Sequence, residues 1–155
     1  MLVYLVRTSI VVASADVPES QRHLSYDGRQ KIRSVGNTIR LNEEPSFDRF
    51  VTSPTPAAVQ TAELFAERTD YVGEIEVWPL LATPSPASVV VQQLMTRGTT
   101  IAIIADEPLL AEIGAFLVGR PTFPPCVHAQ VSVIQDRTPM WSLRPGEMKR
   151  QLLVA

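Results

Sequence analysis

Short runs that are apolar throughout alternate along this chain with longer segments whose apolar positions recur every three to four residues. That alternation predicts βα units around a mostly parallel sheet. Residues 1–7 form the first such run, a buried strand ending at Arg7. A loop through Asp16, Pro18 and Arg22 follows. Leu24-Ser25-Tyr26-Asp27-Gly28 then enters a helix with Ser25 as N-cap and Ile32, Val35 and Ile39 on one face. Phe47 to Thr52 reads as the second strand. Thr55 caps the next helix, with Pro56 at its first position, and Ala58, Ala62 and Phe65 face inward until about Arg68.

Glu74 to Trp78 suits a short strand at a sheet edge, and the proline-rich stretch from Pro79 to Pro86 a loop. A helix is expected from Ala87 to Met95, ending near Gly98, and a fully buried strand from Thr99 to Ala105. Asp106-Glu107-Pro108 has the form of a helix start: a capping aspartate, an early acid and a proline at the first helical position. Gly119 and Pro121 close that helix. Residues 128–135 and 139–144, joined by Asp136-Arg137-Thr138, predict a C-terminal β-hairpin. The tail from Pro145 is expected to fold over an end or fray. The expected architecture is α/β: a single three-layer domain over residues 1–155, with a mostly parallel central sheet, helices on both faces and the hairpin at the end.

Composition narrows the function classes. At 155 residues, 45% hydrophobic and 19% charged, the chain suits one soluble domain with a real core. A formal charge of −2 gives no electrostatic reason to expect nucleic acid or an acidic membrane as partner. No stretch reaches the length of a membrane span, and residues 1–6 are too short and lack the basic start of a signal peptide. The expected location is therefore the cytoplasm. Cys126 has no second cysteine to pair with and reads as a buried structural thiol. Neither His23 nor His128 has a partner at metal-ligand spacing, so no metal is expected, and no glycine-rich phosphate loop or dinucleotide fingerprint implies a cofactor.

The first strand with its Arg7, the Leu24–Gly28 helix entry, Ser53-Pro54 through Gln60-Thr61-Ala62-Glu63, the Ile103–Leu109 segment and the final hairpin carry a resemblance over nearly the whole chain. They resemble the histidine phosphatase superfamily, and most closely its small SixA-type phosphohistidine phosphatases. The resemblance implies a covalent mechanism in which a histidine after the first strand takes the phosphoryl group, while two arginines and a second histidine hold its oxygens. Arg7 matches the first arginine, and Arg22 stands where SixA-type members carry another. Thr8 occupies the nucleophile position and Ser9 a glycine position. Ala57 stands at the second arginine and Asp106 at the second histidine.

Residue chemistry beside that resemblance is plain. A threonine hydroxyl is a weak nucleophile without a base, and no histidine or lysine neighbours Thr8 in sequence. Alanine at 57 is simply a good helix former, and Asp106 suits an N-cap. An ion pair between Asp106 and either Arg7 or Arg22 is expected to fill the pocket. Ligand binding, if any, is expected at Arg7, Thr8, Arg22 and Asp106, with no catalytic residue. The implied function is that of a degenerate SixA-like protein acting through a signalling partner, such as a phosphotransfer protein, or through a phosphorylated one. The alternative is an active phosphatase or hydrolase of the SixA type using substitute groups, with Asp106 as base or His23 as nucleophile.

Overall fold

Alternation of side chains on a strand buried on both sides sets the position of β1, Leu2–Arg7. Tyr4 and Val6 enter one core and Val3 and Leu5 the other, all four at most 1% exposed. The protein, in a computed structural model that describes residues 1–42, 44–94 and 100–153, is a single α/β domain of three layers. Beside β1 the described strands are β2 (Arg49–Thr52), β3 (Ile75–Val77), β4 (Thr100–Ala105), β5 (Val131–Gln135), β6 (Thr138–Leu143) and β7 (Gln151–Leu152). They form one mixed sheet in the order β3-β2-β4-β1-β5-β6-β7. The β3-β2-β4-β1 part is parallel, and β5, β6 and β7 are antiparallel.

Helices α1 (Tyr26–Leu41) and α2 (Pro56–Arg68) cover one face, with Ile32, Val35, Ile39, Ala58, Ala62 and Phe65 in the core beneath them. On the other face, α3 (Ala87–Leu94) and α4 (Leu109–Val118) bury Val90, Val91, Leu94, Leu110 and Ile113. Ser25 caps α1 as expected, its hydroxyl accepting the Gly28 N–H at 3.0 Å. Gly119 ends α4 with φ 71°, a conformation that glycine enters without a Cβ clash.

Several expected boundaries shift, each for a local reason. Thr55 holds the N-cap position of α2, but its hydroxyl makes no capping bond. Pro108 sits at the cap of α4 rather than at its first turn, and Asp106 caps nothing. Glu107 does that work instead, accepting the Ala111 N–H at 2.8 Å. The Pro79–Pro86 stretch contains a short 3₁₀ turn at Pro79–Leu81. His128 precedes β5 on a loop, and β6 starts at Thr138. The tail returns as β7, a two-residue strand paired to β6. The expected helix end at Met95 or Gly98 and strand start at Thr99 lie outside the described residues. Among the described residues, no helix is long and apolar enough to cross a membrane.

Candidate functional site

Strands β1 and β4 are parallel neighbours, with Arg7 in register with Ala105. Beyond them the chain leaves toward opposite faces, to α1 from β1 and to α4 from β4. A crevice opens where the two loops part, as in other open α/β sheets. It forms a pocket of about 360 Å³. Arg7, Thr8 and Ser9 supply one wall, Thr55 and Ala57 of the α2 start another, and Asp106, Glu107 and His128 close it opposite the Glu19–Ser20 turn.

Arg7 is held from two sides. Its Nη1 donates to the Cys126 carbonyl at 2.7 Å, and its Nε lies 3.5 Å from Asp106 Oδ1. Only 20% of the Arg7 side chain is exposed, against 52% of Asp106. The expected ion pair is therefore present, with Arg7 as the cation, but it does not fill the pocket as expected: Asp106 stays half exposed and about 360 Å³ remains open beside the pair. Arg22 stands outside this lining: its Nε turns back to the Val17 carbonyl at 2.7 Å. His23 is exposed and also stands outside the lining.

Thr8 is 3% exposed, and its Oγ1 is buried without a hydrogen-bond partner. Its backbone is fully used, the N–H by the Ala105 carbonyl and the carbonyl by His128 Nδ1 at 3.0 Å. A carbonyl only accepts, so a neutral His128 carries its proton on Nδ1 and leaves the Nε2 lone pair free. Ser9 is spent on structure. Its hydroxyl donates to the Gly28 carbonyl at 2.7 Å and its N–H to Thr61 Oγ1 at 3.1 Å. Ala57, 4% exposed, contributes no polar atom beyond its backbone.

Sequence reasoning missed three contributors. Glu107 accepts the Cys126 N–H as well as that of Ala111, tying the loop before β5 to the start of α4. His128 reaches Thr8 across 120 positions, a separation at which spacing carries no signal. Thr55 leaves a second buried hydroxyl without a partner in the pocket wall. Cys126 is buried as expected; burial pushes its thiol up to about 11, against the opposing pull of its Ser132 hydrogen bond. Its chemistry in the site is backbone only. Among the described residues, no group of three or more His, Cys, Asp or Glu side chains is placed to hold a metal ion.

The chain matches no protein-family model. No curated protein matches it either. Solved structures do. The protein histidine phosphatase SixA complexed with tungstate superposes with a TM-score of 0.83, at 22% identity over 96% of this chain and 100% of that one. The fold is that of the histidine phosphatases. Within that fold, a phosphoglycerate mutase from Bacillus anthracis matches with a TM-score of 0.69 at 12% identity, over 95% of this chain and 93% of its own. An α-ribazole phosphatase from Shigella flexneri gives 0.65 at 16% identity, with both chains covered in full. The superpositions show the histidine-phosphatase fold, and at identities this low they show the fold alone, so the chemistry rests on the pocket.

Proposed function

We propose that this histidine-phosphatase-like protein lacks phosphohistidine chemistry and acts by binding a signalling partner. The observation that carries this reading is the Arg7–Asp106 pair, with Arg7 Nε 3.5 Å from the carboxylate. A phosphoryl pocket needs cations left free to stabilise the charge of the transition state. Here the cation of β1 faces a carboxylate, the position at Ala57 offers none, and Glu19 and Glu107 add negative charge. Near 4 Å and at an effective dielectric of about 20, each unit charge pair is worth roughly 4 kcal/mol before desolvation. Asp106 is half exposed, so solvent screening takes most of that value, and one added carboxylate beside a dianionic phosphoryl group is expected to weaken binding by about tenfold.

The nucleophile position points the same way. Thr8 Oγ1 has no hydrogen-bond partner, so no base stands ready to take its proton. The partner class implied by the SixA resemblance is a phosphotransfer or other signalling protein. The charge of the pocket favours its unphosphorylated form. Hydrolysis of p-nitrophenyl phosphate and of a phosphohistidine peptide tests the first half. Pull-down with phosphorylated and unphosphorylated phosphotransfer domains tests the second, and recovery of neither would sink the binding role.

A second reading, an active phosphatase or hydrolase of the SixA type, has one specific observation in its favour. His128 lines the pocket with Nδ1 anchored and Nε2 free to act as nucleophile or base. Turnover that survives Thr8→Ala and disappears with His128→Ala would establish it.

A further inference from the structure

We propose that the pocket takes a cationic group, an alkylguanidinium or alkylammonium, in the place where this fold would hold a phosphoryl group. The inference rests on the reading that the site binds rather than hydrolyses, and it names the chemistry bound. The lining carries one cation, Arg7, against the three carboxylates of Glu19, Asp106 and Glu107. Arg7 is already engaged by the Cys126 carbonyl and Asp106. The groups left over are two acceptors, the half-exposed Asp106 carboxylate and exposed Glu19, beside one buried donor, the Arg7 Nε, which faces Asp106 without a hydrogen bond. An incoming N–H-rich cation meets partners for its donors, whereas an anion meets the carboxylates.

A separate observation points to a ligand. Thr8 Oγ1 is buried in one wall of the pocket with no partner, and Thr55 Oγ1 likewise in another. Buried polar atoms are seldom left unsatisfied without a reason, and two in the lining of one pocket fit a group that supplies their hydrogen bonds. The first amides of α2 and the dipole of that helix pull the other way, toward an anion. Their partial charge is outweighed by the carboxylates, and Asp106 already offsets Arg7. A neighbouring hollow of about 710 Å³ shares Ser20, Thr55, Asp106 and Glu107 with the pocket. It adds Glu112 and an aliphatic wall of Leu81, Pro84 and Leu109, suited to the methylene stem behind a charged head.

The test is a titration of the intact protein, followed through its backbone amide NMR shifts. The probes are n-butylguanidinium, n-butylammonium, the tripeptide acetyl-Gly-Arg-Gly-amide and phenyl phosphate. Saturable shifts at Thr8, Ser9 and His128 are expected with the cations and not with phenyl phosphate. Asp106→Asn, and independently Glu19→Gln, should weaken the cations about 5-fold or more. Tighter binding of the tripeptide than of n-butylguanidinium supports a partner's side chain as the source; equal binding supports a free amine. Shifts with phenyl phosphate alone, or cation binding indifferent to both substitutions, overturn the proposal. Hydrolysis of phenyl phosphate would instead strike the non-catalytic reading beneath it. Absence of both hydrolysis and cation binding removes the present inference alone.

Discussion

Replacing Glu107 with alanine removes two hydrogen bonds that hold the site together. One carboxylate oxygen accepts the Ala111 N–H in the first turn of α4, and the other accepts the Cys126 N–H nineteen residues away. Hydrogen bonds to a charged group contribute roughly 1.5–3 kcal/mol each. These two share one partly buried side chain, so they should not add in full, and a combined loss of about 2–4 kcal/mol is expected. Asp106→Ala deletes only an ion pair at 3.5 Å whose carboxylate is 52% exposed, for which about 0–1 kcal/mol is reasonable. For a domain of this size, 1 kcal/mol moves Tm by roughly 2–4 °C. Glu107→Ala should therefore melt about 4–16 °C below the parent, and Asp106→Ala within about 4 °C of it. Urea unfolding followed by circular dichroism, with calorimetry alongside, measures both. An Asp106→Ala loss equal to or greater than that of Glu107→Ala would mean that Asp106 is the structural cap after all.

Other consequences can be checked separately. Thr8→Val replaces an unpartnered buried hydroxyl with a methyl group of similar shape, and should leave stability unchanged or raise it by up to about 1 kcal/mol in urea unfolding. Gly28→Ala places a Cβ 2.1 Å from the Ile10 carbonyl oxygen, so the loop leading from β1 into the site must shift; a loss of about 1–3 kcal/mol or more is expected. The thiol of Cys126 rises from 9.0 to about 11 on folding. Its contribution to stability is full below pH 9.0 and is lost as pH rises toward about 11, at most roughly 3 kcal/mol. Cys126→Ser should flatten the alkaline fall in Tm, and Cys126 should react slowly with a thiol reagent until the protein unfolds.

Local signals were legible wherever the chain determines its own geometry. The apolar run of β1, the Ser25 cap, Pro56 at the start of α2 and Gly119 at the end of α4 all lie where residue chemistry places them. What could not be read depends on segments meeting across the fold. Asp106 and Glu107 are adjacent acids, and either could have capped α4. The choice is made by the loop before β5, whose Cys126 N–H is met by Glu107, leaving Asp106 to face Arg7. His128 gives no sign in sequence that its ring will rest on the Thr8 carbonyl. The two-residue β7 owes its place to the open edge of β6 more than to any pattern of its own.

The pocket, on the non-catalytic reading proposed above, keeps the frame of a phosphatase without its chemistry, and putting that chemistry back is the decisive test. Thr8→His, Ala57→Arg and Asp106→His should be combined in one protein and assayed on p-nitrophenyl phosphate and a phosphohistidine peptide beside the parent and each single variant. The non-catalytic reading requires no turnover above background from the parent or the single variants, and a gain in the triple variant. Turnover by the parent that is lost on His128→Ala or Thr8→Ala would contradict it.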